Sequence, residues 1–413
     1  MTAAAEASTA APGWEALPEL VDEQLLVVAG WPEEQVVDEA DRAAAAIAAS
    51  ADQLWHSRPG RARGLLGAVA TGLAILARRP RGVTVLGGHW CARPHVGCPG
   101  RGDPVVVAGS GVGVHYTPWW MAERVTRDTL DALCAEPGPM QTWDTGLWRG
   151  RPLDQVAGLR VADIACGSGM FLLAAAAYLT ELVVGTLPML DPAQLRRAAR
   201  LAVVRSSVYG VDLDPLAVEF ARLALALLVP LDDVDDDVHA HVVRGDALVG
   251  PGFGLGAQGQ GMSGLDFAAA FPDIDRAGGF DAIVGNPPFL GGLKITGRFG
   301  TDYRNHLVRH IAGGVTGQAD LAAYFVLRAF YLVHPDRGQL GLITTNTIGQ
   351  GHTRRVGLDQ IEARGGTIRQ AVKHAPWPTD TASVAYAVVW ISRPPVSNPM
   401  ALLLDAIPAP EGT

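Results

Sequence analysis

The sequence has few cysteines, no long apolar run and no leader segment. Four cysteines among 413 residues are too few for a disulfide scaffold, and a chain of this length does not need one. The longest apolar run, 65–77, is short of the roughly 20 residues that cross a bilayer. The start, MTAAAEASTAAPG, lacks the basic and apolar parts of a signal peptide. We therefore expect a soluble cytoplasmic protein that does not bind membranes.

Charge is scarce and unevenly placed. Charged residues make up 18% of the chain and the formal net charge is −9, which argues against a protein that simply coats nucleic acid. Between Leu290 and Ala375, however, eleven lysines and arginines outnumber five aspartates and glutamates, a local +6 against −15 elsewhere. A basic stretch on an acidic protein indicates a local surface for phosphate groups.

The first quarter of the chain differs from the rest. Residues 1–13 are alanine-rich and predicted to be a disordered tail, and residues 14–108 to be a mainly helical region that ends in a Gly/Pro-rich loop. That loop contains two histidines and two cysteines, His89, Cys91, His95 and Cys98. Their spacing matches no standard zinc pattern, so we predict no metal site.

From residue 109 to residue 395, short apolar runs alternate with helical stretches. Repeated strand–helix units predict an α/β fold with a mainly parallel, doubly wound sheet. The glycine-rich segment 250–264 is predicted to be a surface insertion, and residues 396–413 a C-terminal tail.

Ligands of such sheets bind at the carboxyl ends of the strands, so the residues after each strand are candidates. The turn 163–169, DIACGSG, follows the first strand, and its glycines allow close backbone approach to a ligand or form a tight structural turn. Asp212 follows the second strand and can accept from ribose hydroxyls, whereas Asp214 reads as a helix N-cap. Asp246 follows the third strand, either as an acceptor for an exocyclic amine or as an ordinary loop aspartate.

The fourth strand runs into Asn286-Pro287-Pro288-Phe289. Two prolines fix two φ angles and remove two N–H donors, which leaves a turn rich in carbonyl groups. The Asn286 side-chain oxygen and the Pro287 carbonyl can converge on an NH2 group of a planar ring, whose delocalised lone pair is a poor nucleophile. Phe289 can stack on that ring. We interpret the segment as a catalytic turn, the alternative being a strand-ending turn with an aromatic plug.

Together these turns resemble those of the S-adenosylmethionine-dependent N6-adenine DNA methyltransferases of restriction-modification and phage-defence systems, and among them the Eco57I-like branch. The segments that carry the resemblance, in order, are VHYTPWWMAERV, DIACGSGMFL, GVDLDP, RGDAL and NPPF. In the second of them Ile164 replaces the usual proline. The resemblance covers about residues 110–393 and implies a Rossmann-like class I methyltransferase fold.

The resemblance also implies the site residues, with S-adenosylmethionine as cofactor and double-stranded DNA as substrate. The implied cofactor-binding residues are Tyr116, Thr117, Asp163, Ala165, Gly167, Gly169, Asp212 and Asp246. The implied catalytic residues are Asn286, Pro287 and Phe289, which would act on a flipped-out adenine. Trp377 would be a second platform for that base or a core aromatic, and Arg298 and Arg304 would contact phosphates or be solvated surface arginines.

Relatives with this motif order usually continue into a target-recognition domain. Here the N-terminal region could read DNA, a partner subunit could do so, or the chain could be a split or truncated form; we expect a separate specificity or restriction subunit, or a truncated form. The two lysines, Lys294 and Lys373, both follow the catalytic turn, which argues against a fused lysine-dependent nuclease.

Two alternatives to this function remain. The chain could methylate another planar amine, as ribosomal RNA guanine-N2 and release-factor glutamine methyltransferases do, or it could be a partner-dependent DNA-binding subunit that is inactive alone.

Overall fold

The computed structural model describes residues 117–187, 192–226, 228–229, 240–251, 264–377, 385–397 and 401–407. Apart from 226 and 228–229, these residues belong to one of the two compact units of the chain, 112–225 together with 234–413. The predicted disordered tail, the N-terminal helical region with its Cys/His loop, Tyr116 and most of the glycine-rich insertion lie outside the described residues.

An eight-stranded sheet forms the centre of this unit. Its strands are β1 Val161–Asp163, β2 Val208–Asp212, β3 Val242–Arg244, β4 Ala282–Gly285, β5 Gln339–Thr345, β6 Thr367–Pro376, β7 Ala385–Ser392 and β8 Leu402–Leu404. Their order across the sheet is β3-β2-β1-β4-β5-β7-β6-β8. Strands β1 to β5 are parallel to one another, whereas β7 runs antiparallel to both of its neighbours, β5 and β6.

The described ranges contain eleven α-helices. They are α1 Trp119–Cys134, α2 Leu153–Val156, α3 Met170–Thr186, α4 Pro192–Ser206, α5 Pro215–Ala226, α6 Phe267–Ala270, α7 Pro272–Ala277, α8 Gly292–His306, α9 Leu321–Leu332, α10 Gly351–Val356 and α11 Leu358–Ala363. Helix α8 is kinked at Gly300, whose φ of 87° lies in the left-handed region. None of the helices in the described part combines the length and apolarity needed to cross a bilayer.

The central strands β1, β2, β4, β5 and β7 are buried on both faces, which explains why they read as nearly continuous apolar runs. In β7, alternate residues point to opposite sides: Ala387, Val389 and Ile391 join the core that includes α9. Trp390 faces the other side, where its Nε1 donates to the carbonyl of Val125 in α1 at 3.2 Å. The predicted fold class, a doubly wound α/β sheet of the class I methyltransferase type, is confirmed.

Helix α1 is held tightly against the sheet. The buried guanidinium of Arg369 in β6 donates from Nη2 to the Asp128 carbonyl at 2.7 Å. On β5, a Cβ added to Gly341 would lie 1.9 Å from the Thr129 hydroxyl oxygen, so this strand needs a glycine for the helix to approach it. Because α1 is fixed in this way, the residue just before its N-cap, Thr117, has a fixed position at the edge of the sheet.

Two strands were not predicted from the sequence. Strand β6 mixes polar and apolar residues, although it directly follows the glycine pair Gly365-Gly366, and the short β8 lies in the segment that was expected to be a C-terminal tail. Strand β8 pairs in parallel with β6 through Gln370, Ala371 and Val372. Pairing between distant segments, rather than local pattern, stabilises both strands.

Candidate active site

The carboxyl ends of β1 to β4 bring four of the predicted turns to one edge of the sheet. Asp163 is the last residue of β1, Asp212 the last of β2, and Asn286 directly follows β4. Asp246 lies two residues beyond the end of β3. Parallel pairing of these strands places all four side chains along the same edge.

Asp163 is the most deeply buried of these carboxyls, with 2% of the residue exposed. Its Oδ1 accepts a hydrogen bond from the Ala165 backbone N–H at 2.9 Å. Burial and, more weakly, the charge of Asp212 raise the pKa of Asp163 to about 8, although the Ala165 hydrogen bond lowers it. At neutral pH this carboxyl is therefore mostly protonated in the protein without ligand.

Strand β4 ends in a glycine because the Asp163 carboxyl lies against it. A Cβ added to Gly285 would be 2.6 Å from Asp163 Oδ1 and 3.0 Å from its Cγ, closer than non-bonded atoms approach. The residue before the catalytic turn is thus in van der Waals contact with the carboxyl at the end of the neighbouring strand. This contact was not predicted from the sequence.

The glycine turn after β1 is linked to the end of β2. Gly167 and Gly169 have φ values of 54° and 95°, in the left-handed region that glycine adopts without strain. The Gly167 N–H donates to Asp212 Oδ2 at 2.8 Å, and the Asp214 N–H donates to Asp212 Oδ1 at 2.9 Å. Burial raises the pKa of Asp212, and these backbone donors lower it. Asp212 therefore fixes the shape of the turn in addition to any contact with a ligand.

Asp246 is buried and has hydrogen-bond partners on both oxygens. Its Oδ1 accepts from the Leu248 N–H at 2.8 Å, and its Oδ2 accepts from the Tyr303 hydroxyl at 2.9 Å. Burial raises the pKa of Asp246, and both hydrogen bonds oppose the shift. Tyr303 lies in α8, so this contact connects the third strand turn to the helix that follows the catalytic turn. Only its place in the basic stretch hinted at a role for Tyr303.

The catalytic turn is anchored at both ends. At its front, Asn286 Nδ2 donates to the Thr117 hydroxyl oxygen at 3.0 Å, across 169 positions of sequence. At its back, the Leu290 N–H donates to Asp320 Oδ1 at 3.4 Å, and the Leu290 carbonyl accepts from the Leu321 N–H at 2.9 Å. Asp320 is also the N-cap of α9, where it accepts from the Ala322 N–H. The turn is therefore held between α1 and α9.

Within the turn, Pro287 and Phe289 are buried, and Asn286 is half-buried. Only 8% of Phe289 is exposed, so its ring lies within the packed edge rather than projecting from it. The buried proline has no N–H that would need a partner. The acceptor roles of the Asn286 side chain and of the backbone carbonyl groups stay predictions.

The predicted substrate-side residues have different surroundings. Arg298 is exposed and lies over the Phe299 ring at 5.7 Å, whereas Arg304 is half-buried and donates to the Gly317 carbonyl at 3.3 Å. Trp377 follows β6 and is 5% exposed, with its ring edge-on to Tyr386 at 5.8 Å. It lies at the same edge of the sheet as Asn286, because β6 runs in the direction of β5. The DNA contacts of these three residues remain predictions.

The donor and acceptor set of this edge fits S-adenosylmethionine. Two buried carboxyls, Asp163 and Asp246, and the half-buried Asp212 line the ends of neighbouring strands, and they suit a ligand that carries an ammonium group, ribose hydroxyls and an exocyclic amine. Beside them the backbone of a glycine turn is open to close approach, since a Cβ on Gly167 would meet nothing within 4 Å. Among the described residues, no three His, Cys, Asp or Glu side chains converge as metal ligands.

Residues 206–361 match the family described as Eco57I restriction-modification methylase. The matched range includes Asp212, Asp246, Asn286 and Tyr303, whereas Asp163 precedes it. The match confirms the resemblance that the motifs predicted. It contains the segment from Asp212 to the predicted catalytic turn and the part of the basic stretch up to residue 361.

Individual relatives are distant and much longer. The chain is 29% identical to the "Adenine-specific methyltransferase PglX" of Streptomyces coelicolor over 234 residues, which are 50% of this chain and 18% of the relative. It is 22% identical to "DNA methyltransferase A" of Bacillus subtilis over 287 residues, which are 68% of this chain and 31% of the relative. A solved structure of the type IIL restriction-modification enzyme MmeI with DNA aligns at a TM-score of 0.43 and 16% identity, covering 62% of this chain and 34% of that one. The chain thus spans 12 to 31% of the curated relatives it matches.

Proposed function

We propose, from the Eco57I-type methylase segment and the site at the edge of its sheet, that this chain methylates N6 of adenine in DNA with S-adenosylmethionine as donor. The observation that carries the proposal is the turn at Asn286 and Pro287. It directly follows Gly285, which lies against the buried Asp163 carboxyl, and it lies within the matched family segment. A restriction-modification or phage-defence system is the proposed setting.

Three carboxyls and the glycine turn would hold the cofactor. When bound, S-adenosylmethionine supplies a methyl group on a positively charged sulfur, an electrophile strong enough to react without a metal. Asp163 and the backbone of the turn 165–169 would hold the methionine part, Asp212 the ribose and Asp246 the adenine. The Gly167 N–H bond to Asp212 and the Tyr303 bond to Asp246 fix the two carboxylates before a ligand arrives.

The chain's own contribution to the reaction is to hold and polarise the target amine. The Asn286 side-chain oxygen and the Pro287 carbonyl would each accept one N–H of the amine. This raises electron density on nitrogen and favours the tetrahedral geometry that its lone pair needs for attack. Because neither proline has an N–H, no backbone donor of the Pro-Pro pair competes for these acceptors.

Inside a duplex the amine cannot reach this edge, so the adenine must be flipped out at a cost of a few kcal/mol. Phe289 would contact one face of the base, and Trp377 would support it from the β6 side. Exposed Arg298, in the helix directly behind the catalytic turn, would contact a phosphate together with Arg304. Choice of the DNA sequence is assigned to a partner specificity or restriction subunit.

The proposal is tested with methyl-labelled cofactor on DNA, RNA and protein, for the full chain alone and with the products of neighbouring genes. We expect label in N6-methyladenine. Asn286→Ala should reduce the rate by at least about 100-fold, because it removes one of two acceptors that stabilise charge on the reacting nitrogen. The matched control is Gln155→Ala, which removes an exposed side-chain amide in α2, the helix before β1, and should leave the rate unchanged.

The other outcomes separate the alternatives. Label in guanine or glutamine would contradict the adenine assignment while retaining the chemistry of the turn. Absence of transfer to every substrate with every partner, in a preparation that still binds DNA, would support a binding subunit without catalysis.

A further inference from the structure

We infer that Thr117 is a positioning residue for Asn286: its hydroxyl holds the amide so that the side-chain oxygen faces the target amine. The inference rests on the proposed function, because it concerns the acceptor on which that function depends. The observation is the hydrogen bond from Asn286 Nδ2 to Thr117 Oγ1 at 3.0 Å. The resemblance alone gave Thr117 a different role, at the methionine end of the cofactor.

The need for such a contact follows from the chemistry of asparagine. The two ends of its amide have nearly the same shape but opposite hydrogen-bonding character. An amide rotated by half a turn would present N–H donors to the amine, which is itself a donor, and the acceptor would be lost. A threonine hydroxyl can donate as well as accept, so it does not by itself reject the rotated amide. Contact with the donor groups of the amine disfavours the rotated amide. Thr117 accepts a hydrogen bond from Nδ2 and fixes the amide plane in the remaining orientation.

Thr117 is suited to this role because it cannot easily move. It is 7% exposed and lies immediately before the Pro118 N-cap of α1. Helix α1 is in turn fixed by the Arg369 and Trp390 hydrogen bonds to its backbone. The same hydrogen bond joins Thr117 to the catalytic turn, although 169 positions separate the two residues in sequence.

The test compares Thr117→Val, which keeps the shape and removes the hydroxyl, with Thr117→Ser, which keeps the hydroxyl. Single-turnover methyl transfer by Thr117→Val should fall about tenfold, as expected for one lost hydrogen bond at the reacting group. Thr117→Ser should stay within about twofold of the wild type. The control is Thr126→Val, since the Thr126 hydroxyl in α1 is buried without a hydrogen bond among the described residues and its loss should not slow transfer.

Binding of S-adenosylhomocysteine, measured by calorimetry, separates the two roles of Thr117. Positioning predicts an unchanged dissociation constant for Thr117→Val with a slower transfer step. A weaker dissociation constant with an unchanged transfer step would overturn the inference and assign Thr117 to the cofactor. If the wild type labels guanine or glutamine, the adenine proposal fails, but the ratio of the two Thr117 variants on that substrate still tests the inference.

The contact can also be tested without catalysis, by thermal unfolding of Thr117→Val, Asn286→Ala and the double variant. Because one hydrogen bond can be lost only once, the melting temperature of the double variant should lie above the value expected from adding the two single shifts. Additive shifts would show that the two side chains do not interact, and would overturn the inference.

Discussion

Replacement of Asp163 by asparagine should make the protein more stable at high pH. The carboxyl is buried against Gly285 at the end of β4, and its pKa is raised to about 8 by burial and by the charge of Asp212. The Cys166 thiol interacts with the charges of Asp163 and Asp212, and burial raises its pKa well above the ordinary value. Asparagine has the same shape as a protonated aspartate and can still accept from the Ala165 N–H.

The sign and size of the effect follow from proton linkage. Between its ordinary pKa of 3.8 and about 8, the folded protein binds more protons at Asp163 than the unfolded chain does. Stability must therefore fall as pH rises through this range, by about 1.4 kcal/mol per pH unit for one fully linked group. From about pH 5 to pH 8 the loss attributable to Asp163 is at most about 4 kcal/mol, and it is absent below about pH 4.

The assay is urea unfolding of wild type and Asp163→Asn at half-unit pH steps from about pH 4 to about pH 9, a range that covers both ends of the linkage. The difference in free energy of unfolding should widen in favour of the variant up to about pH 8 and then level off. Asp154→Asn, which changes an exposed aspartate in α2, controls for the removal of one charge. A difference between Asp163→Asn and wild type that does not change with pH would refute the reasoning.

The same carboxyl links cofactor binding to proton release. In the proposed function a cationic group of the cofactor lies beside Asp163 and favours its charged form. At about pH 7, binding should therefore release about one proton from the wild type and none from Asp163→Asn. Calorimetry in buffers of different ionisation enthalpy measures this number directly, and equal proton release by both proteins would contradict the assignment.

Two further substitutions test contacts that the sequence did not predict. Tyr303→Phe removes the hydroxyl that donates to Asp246, so it should weaken binding of S-adenosylhomocysteine about fivefold with little change in the transfer step. The control Tyr331→Phe should change neither quantity. A slower transfer step at unchanged affinity would contradict this role of Tyr303. Gly285→Ala places a Cβ 2.6 Å from Asp163 Oδ1 and should destabilise the fold by about 1–3 kcal/mol in urea unfolding. Combination with Asp163→Ala should remove most of that additional cost, and a fully additive pair would exclude the clash.

Strands β7 and β6 show which properties of the sheet a local sequence pattern does not predict. The apolar run 385–392 was predicted as a strand, but its antiparallel direction depends on a reversal of the chain that no periodicity encodes. Strand β6 alternates less clearly, and its buried Arg369 reads as a surface residue until α1 is placed over it. Such a residue is buried only because a segment about 240 positions away provides its partners.

The candidate site also has a part that the sequence predicted and a part that it did not. Asp163, Asp212, Asp246 and Asn286 were predicted because each directly follows an apolar strand, and a parallel sheet brings such positions to one edge. Their long-range hydrogen-bond partners were not predictable: the Tyr303 hydroxyl donates to Asp246 from a position 57 residues away. The partner of a side chain depends on where unrelated segments pack.

The sequence by itself determined the strand–helix alternation, the turns at the strand ends and the acceptor chemistry of Asn286-Pro287. These properties depend on neighbouring residues: side-chain periodicity, the φ restriction of proline and the freedom of glycine. Tertiary structure alone decided that Thr117 holds the Asn286 amide, that Gly285 must be a glycine and that burial raises the pKa of Asp163. Each of these depends on the distance and solvent exposure of groups far apart in the chain, which only the packed sheet fixes.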